Sequence, residues 1–180
     1  MKETKILRKC WFFIILVLMA FLSFNSTLVF ADLIVDNGDI NTSHTGTWDI
    51  SSGVNPYGSN SLWARDGATY TWHFSGDCGH YEILMWWTDW PSRDAEIPVD
   101  INYLADTARI YINQQESCGQ WNSLGQFHLC SALDNCVTIT AQSGSTSTSA
   151  DAIWFRTTPE PATIIFLSLG FAVLRFRKRT

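Results

Sequence analysis

The chain has 180 residues, a formal net charge of −5 and nine tryptophans, which suits one domain with short targeting segments. Residues 32–156 hold fifteen acidic and four basic residues, so this stretch carries a net charge of about −11. Such an acidic body argues against nucleic-acid binding, which needs a basic face. No lysine lies between residues 10 and 177, which excludes a lysine Schiff base and a phosphate-loop lysine.

The N-terminus predicts a secretory signal peptide over residues 1–31. A basic start is followed by a mostly apolar run over residues 11–24, and residues 29–31 provide a small-residue cleavage site. About 14 helical residues span roughly 21 Å, which is short of the ~30 Å bilayer core. The alternative is an uncleaved membrane anchor.

The body, residues 32–156, is predicted to be one all-β domain. Short alternating runs are separated by clusters of Gly, Asn, Asp and Ser, as in strands joined by tight turns. In the clearest run, Tyr81, Ile83, Met85 and Trp87 share one face. Ten strands are predicted, over residues 33–36, 47–50, 61–65, 69–74, 80–88, 97–104, 107–114, 121–129, 136–141 and 150–156. This number of short strands predicts a β-sandwich, of the jelly-roll kind.

Eight sequence blocks run in order along the body: IVDNGD, TGTW, YGSN, GHYEILMWWT, RDAEIPVDI, IYINQQ, GQWNSLGQF and ADAIWF. Together they resemble the golvesin C-terminal-like domain, also called the xanthan lyase carbohydrate-binding-like domain. The resemblance implies a galactose-binding-like jelly roll, usually an accessory module beside secreted hydrolases, lyases or proteases. We therefore expect a carbohydrate-binding or adhesive module. The alternative is a structural surface or matrix protein without a sugar ligand.

Aromatic side chains are the first candidate ligand-binding groups, because sugars present apolar C–H faces to indole rings. Adjacent Trp86 and Trp87 point to opposite faces of their strand. Trp87 shares the core stripe, whereas Trp86 is predicted to form a platform with Trp90 and Arg93 just beyond the strand end. The alternative for Trp86 is packing beneath the N-terminal segment.

A predicted hairpin tip holds the second candidate group. Asn113 and Gln115 end one strand and Trp121 begins the next, which supplies planar hydrogen-bonding groups and a ring. The alternative is turn closure, because amide side chains satisfy free backbone groups in loops. Asp151 shares parity with Ile153, and we interpret it as a buried acceptor that holds loop backbone.

Recognisable catalytic motifs such as GxSxG, HExxH and the Walker sequence do not occur in the chain, and we predict that it is not an enzyme. No cofactor is predicted. Calcium is compatible with the many carboxylates of an exported protein, but no EF-hand spacing supports it. The acidic body favours a neutral polysaccharide as partner, because it repels acidic ones.

Four cysteines follow the predicted signal peptide, an even number in an exported domain. Cys130 and Cys136 bracket a turn between consecutive strands, so we predict a disulfide between them. Cys78 and Cys118 fall at opposite ends of the predicted sandwich, which leaves one or both free. The alternative pairs Cys78 with Cys130 or with Cys136.

A tripeptide, a short apolar run and a basic cluster make up residues 157–180. The tripeptide is Pro159-Glu160-Pro161, and the apolar run covers residues 162–174. The three parts resemble the PEP-CTERM sorting signal of Gram-negative bacteria that make exopolysaccharide. The resemblance implies a short transmembrane helix, transient anchoring in the inner membrane, recognition by an exosortase-type sorting enzyme, and delivery to the cell surface or matrix. The alternative is a plain membrane anchor.

Overall fold

The computed structural model describes residues 31–158. The two predicted terminal helices, the signal peptide up to residue 30 and the sorting signal from Pro159 onward all lie outside the described residues. Within residues 31–158, no helix is long and apolar enough to cross a membrane.

Twelve β-strands and one 3₁₀ turn, Ser131–Leu133, form the described part of the chain. The strands are β1 (Leu33–Val35), β2 (Thr42–Thr45), β3 (Asp49–Ile50), β4 (Leu62–Ala64), β5 (Thr69–His73), β6 (Gly79–Trp86), β7 (Ile97–Tyr103), β8 (Asp106–Ile112), β9 (Asn122–Leu129), β10 (Cys136–Thr140), β11 (Thr148–Ala150) and β12 (Ala152–Thr157). Every strand pair is antiparallel.

Two main sheets enclose the core. One has the order β1-β12-β6-β9 and the other the order β2-β5-β10-β7-β8, while β11, β4 and β3 form a small third sheet. Side chains from both main sheets make up one buried cluster. The predicted β-sandwich is therefore confirmed.

Alternation of side chains on β6 builds the centre of this core, although Leu84 on the opposite face is buried as well. Tyr81, Ile83 and Met85 are buried, and Trp87 continues the same face beyond the strand end. A large apolar side chain that is fully buried contributes about 1.5–3 kcal/mol. The opposite face of β6 points away from the core, and it carries Trp86.

The disulfide joins Cys78 to Cys130, so the prediction that Cys130 pairs with Cys136 is wrong. Cys78 directly precedes β6 and Cys130 directly follows β9, and these strands are neighbours with Gly79 opposite Leu129. Cys136 begins β10 in the other main sheet and stays a free thiol, as does Cys118. Sheet order brings Cys78 and Cys130 together, as in one of the alternatives left open by the sequence.

One end of the sandwich gathers the longer loops. β12 begins where β6 ends, with Ala152 opposite Trp86, and β7 begins opposite the end of β8. The segments 46–61 and 141–151, which include the short strands β3 and β11, meet residues 87–96 and 113–121 there. We call this region the loop end.

Candidate functional site

Four aromatic rings pack against one another on the outer side of the four-stranded sheet, at the loop end. Trp121 is central, because its ring centroid lies 5.1 Å from that of Tyr57, 5.4 Å from that of Trp86 and 5.6 Å from that of Trp154. All four residues are half-buried. We call them the outer aromatic cluster.

Strand alternation explains why two of these rings lie outside the core. Trp86 and Trp154 occupy β6 and β12 at positions whose chain neighbours face inward. The residue paired with Trp86 is Ala152, and the one paired with Trp154 is Leu84. Each large ring therefore lies beside a smaller side chain on the next strand, which leaves room for the rings to spread over the sheet face.

Hydrogen bonds tie the outer aromatic cluster to the loop end. The indole Nε1 of Trp86 donates to the carbonyl oxygen of Asn55 at 2.9 Å. The backbone N–H of Tyr57 donates to Oδ2 of Asp151 at 3.1 Å. Trp86 and Tyr57 are therefore held in place before any ligand arrives, which lowers the entropy cost of binding.

An ion pair borders the cluster on the same sheet face. Arg156 on β12 pairs with Glu82 on β6, and its guanidinium carbon lies 5.2 Å from the Trp154 ring centroid. Hydrogen bonds from Arg156 and from Ser123 lower the pKa of Glu82. The border of the cluster thus offers hydrogen-bonding groups without a net charge.

Arg93 is not available to a ligand, contrary to the prediction, because only 1% of its surface is exposed. Its guanidinium donates to the carbonyl of Thr88 at 3.2 Å and to hydroxyls of Thr88, Ser147 and Ser51 at 2.9–3.0 Å. Burial lowers the pKa of Arg93 to about 10. This buried side chain therefore connects three loops through hydrogen bonds.

The two predicted amides also bond within the loop end. Oδ1 of Asn113 accepts from the backbone N–H of Gln115 at 2.9 Å, and Nε2 of Gln115 donates to the carbonyl of Arg93 at 2.9 Å. The first contact closes a turn, and the second joins two loops of the loop end. Trp90 is 43% exposed, and its carbonyl accepts from the N–H of Arg93 at 3.0 Å. Of the six predicted residues, Trp86 and Trp121 therefore belong to the outer aromatic cluster. The other four lie in the loops: Trp90, Arg93, Asn113 and Gln115.

Sequence reasoning missed two members of the cluster. Trp154 carried a usable signal, because it alternates with Ile153 and Phe155, which are core residues. Tyr57 carried none, since it lies in a loop whose position depends on Asp151.

Asp151 is buried, with 0% exposure, as expected. Oδ2 accepts from the Tyr57 N–H, while Oδ1 has no partner in the described residues. Burial raises the pKa of Asp151 to about 8, and Asp36 adds to the rise. Across residues 31–158, no group of three or more His, Cys, Asp or Glu residues is arranged to hold a metal ion.

The family model described as the golvesin C-terminal domain matches residues 33–157. The chain belongs to the golvesin C-terminal domain family. Its outer aromatic cluster falls within four of the eight sequence blocks noted above: YGSN, GHYEILMWWT, GQWNSLGQF and ADAIWF. No curated protein matches the chain.

Three solved structures are similar in fold to this golvesin-family domain. A Paenibacillus xanthan lyase matches with a TM-score of 0.68 and 26% identity over 74% of this chain and 14% of that one. The Podospora anserina GH26-CBM35 β-(1,4)-mannanase matches with a TM-score of 0.53 and 16% identity over 72% of this chain and 28% of that one. The CBM35 of Cellvibrio japonicus Abf62 matches with a TM-score of 0.50 and 12% identity over 71% of this chain and 95% of that one. The chain thus spans only a small part of the length of the xanthan lyase and of the mannanase. The likenesses to the mannanase and to the CBM35 show a shared fold alone.

Proposed function

We propose that this golvesin-family domain binds a neutral polysaccharide through the outer aromatic cluster. The observation that carries the proposal is the placement of Tyr57, Trp86, Trp121 and Trp154 on an open sheet face instead of in the core. Aromatic faces suit the apolar C–H faces of sugars. Membership of the family and the fold shared with CBM35 modules support a carbohydrate-binding role.

Charge favours a neutral ligand over an acidic one. Residues 32–156 carry a net charge of about −11, which repels uronate polymers over about a Debye length. The only charged pair beside the cluster in the described residues, Glu82 with Arg156, is neutral overall. Binding is expected to be weak, because each sugar hydroxyl exchanges one hydrogen bond to water for one to protein.

The setting we propose is the cell surface or the exopolysaccharide matrix of a Gram-negative bacterium, where the domain acts as an exported, non-catalytic module. The signal-peptide pattern and the PEP-CTERM-like tail support export and sorting by an exosortase-type enzyme. The Cys78–Cys130 disulfide fits an oxidising compartment.

Affinity electrophoresis of the mature protein through gels that contain neutral polysaccharides tests this function. Trp121→Ala should lower the affinity calculated from the retardation at least tenfold, because Trp121 contacts the other three rings. Tyr111→Ala is the matched control, since Tyr111 is 59% exposed on β8 of the opposite sheet. Equal retardation of both variants would contradict the proposal. Absence of retardation for the unmodified protein would favour the structural matrix role instead.

A further inference from the structure

A concave surface lies apart from the outer aromatic cluster. It is an open pocket of about 440 Å³ between the segment that joins β2 to β3 and the turn that joins β4 to β5. Its volume falls in the range of about 300–1,000 Å³ that is typical of small-ligand sites. None of its lining residues belongs to the cluster. We call it the Trp63 pocket, after the aromatic residue in its wall.

Close backbone packing holds the two walls of the Trp63 pocket together. Gly46 has a φ of +72°, and a Cβ at this position would lie 2.7 Å from the Cβ of Ala68. In the opposite wall, the N–H of Asp66 donates to the carbonyl of Gln142 at 3.0 Å. Asp66 itself has a φ of +57°, in the left-handed region that aspartate adopts more readily than most residues other than glycine. The pocket is therefore preformed.

Arg65 and Trp63 form a fixed pair in the pocket wall. The guanidinium carbon of Arg65 lies 5.1 Å from the centroid of the Trp63 ring, and its Nε donates to the carbonyl of Thr146 at 2.9 Å. Neither terminal nitrogen of Arg65 has a partner among residues 31–158. These N–H groups can therefore donate to a ligand.

Two carboxylates supply acceptors in the same pocket. Asp49 lies directly opposite Trp63 in the β3–β4 ladder, is exposed, and has no side-chain partner in the described residues. Asp66 accepts only a 3.4 Å bond from the N–H of Gly144 within the described part of the chain. Free guanidinium N–H groups and two carboxylates thus supply donors and acceptors beside the Trp63 ring, over which the Arg65 guanidinium lies.

We infer that the Trp63 pocket is a second glycan site, which takes one or two sugar units at the end of a neutral chain. A pocket with walls suits a chain end, whereas the open face of the outer aromatic cluster suits the middle of a chain. The two carboxylates outnumber the single guanidinium, so the pocket disfavours uronic acids. The inference rests on the proposed carbohydrate-binding function, and it assigns that chemistry to a different surface.

Two separate glycan sites would let one domain hold two polysaccharide chains, or two parts of one chain. Linked sites raise avidity without any new contact, provided that both can be engaged together. The pocket therefore gives a single module a way to cross-link matrix polymers.

A titration of the ¹⁵N-labelled mature protein with glucose, mannose, galactose and cellobiose, followed by NMR, tests the inference. At least one of these sugars should shift the backbone amides of residues 46–49 and 65–68. Asp49→Asn should weaken its binding at least tenfold, and so should Arg65→Gln. Asp77→Asn is the matched control, because Asp77 is also an exposed acid and lies outside the pocket. Trp121→Ala should leave this binding unchanged.

Failure of the pocket can be told apart from failure of the proposed function. If the sugars shift only the cluster residues and Trp121→Ala abolishes the shifts, the pocket inference is overturned and the cluster function stands. If no small sugar shifts the pocket amides while polysaccharide gels still retard the protein, the pocket inference is again overturned and the cluster function stands. If the pocket variants lose sugar binding but Trp121→Ala keeps full polysaccharide retardation, the pocket stands and the cluster function falls.

Discussion

Arg93 and Thr88 are joined by two hydrogen bonds in the interior of the loop end, where the exposed fractions of the two residues are 1% and 0%. Nε of Arg93 donates to the Thr88 carbonyl, and Nη2 donates to the Thr88 hydroxyl. The same hydroxyl lies 3.0 Å from those of Ser61 and Ser149. A buried arginine thus organises a network of neutral oxygen atoms that connects four separate parts of the chain.

Arg93→Ala should destabilise the domain by about 3 kcal/mol, because it leaves several buried acceptors without donors. Urea unfolding measures the change. Arg109→Ala is the control, since Arg109 pairs with Asp100 at the exposed surface of the five-stranded sheet, and it should barely move the midpoint. Similar midpoints for both variants would show that the buried network does not stabilise the fold.

Asp151 should make stability fall as pH rises. Its pKa is about 8 in the folded protein, where burial raises it, Asp36 raises it further and Arg93 opposes the rise, against about 3.9 in an unfolded chain. Between these values the folded state holds a proton that the unfolded state has lost. The contribution is therefore complete below about pH 4 and is lost as pH approaches 8, with a steepest slope of about 1.4 kcal/mol per pH unit.

Asp151→Asn removes that titration and keeps an acceptor for the N–H of Tyr57. Urea midpoints between pH 5 and pH 8.5 should fall with pH in the unmodified protein and change less in the variant, which should be the more stable of the two near pH 8. Parallel curves for the two proteins would rule out a titrating Asp151.

Cys130→Ser should cost about 4 kcal/mol on the chain-entropy model, because the disulfide closes a sequence separation of 52 residues. Cys136→Ser should keep the bridge. Non-reducing peptide mapping identifies the pairing, and urea unfolding with and without reductant gives the stability. A fragment that links Cys130 to Cys136 would contradict the structure.

Binding of a neutral polysaccharide should survive EDTA and depend little on salt, because neither ion pairing nor a bridging cation contributes to it. Gel retardation in EDTA at low and moderate salt measures both effects. An acidic polymer should bind only if calcium bridges the carboxylates, and EDTA should then release it. Tight binding of an acidic polymer in EDTA at low salt would reveal a basic patch and refute the charge argument.

Processing at both ends should leave a mature protein that starts near Asp32 and ends near residues 159–161. Intact-mass measurement of the exported protein checks this prediction. A full-length species in the cytoplasm would contradict both terminal signals.

Local patterns in the sequence determined the class of fold and the inward face of its central strand. Side chains alternate along any β-strand, so the spacing of Tyr81, Ile83, Met85 and Trp87 is enough to identify a core stripe. The same rule placed Trp86 on the outer face, and it applies equally to Trp154. The buried role of Asp151 followed from its parity with Ile153.

Tertiary structure decided which of these residues meet. Cys130 pairs with Cys78 because β6 and β9 are neighbours in one sheet, and sheet order cannot be read from the spacing of cysteines. Arg93 is buried because loops that are distant in the sequence close over it. Tyr57 reaches Trp121 because Asp151, 94 residues further along the chain, holds its backbone. Periodicity is a property of neighbouring residues, whereas a site depends on contacts between strands and loops that only the folded chain brings together.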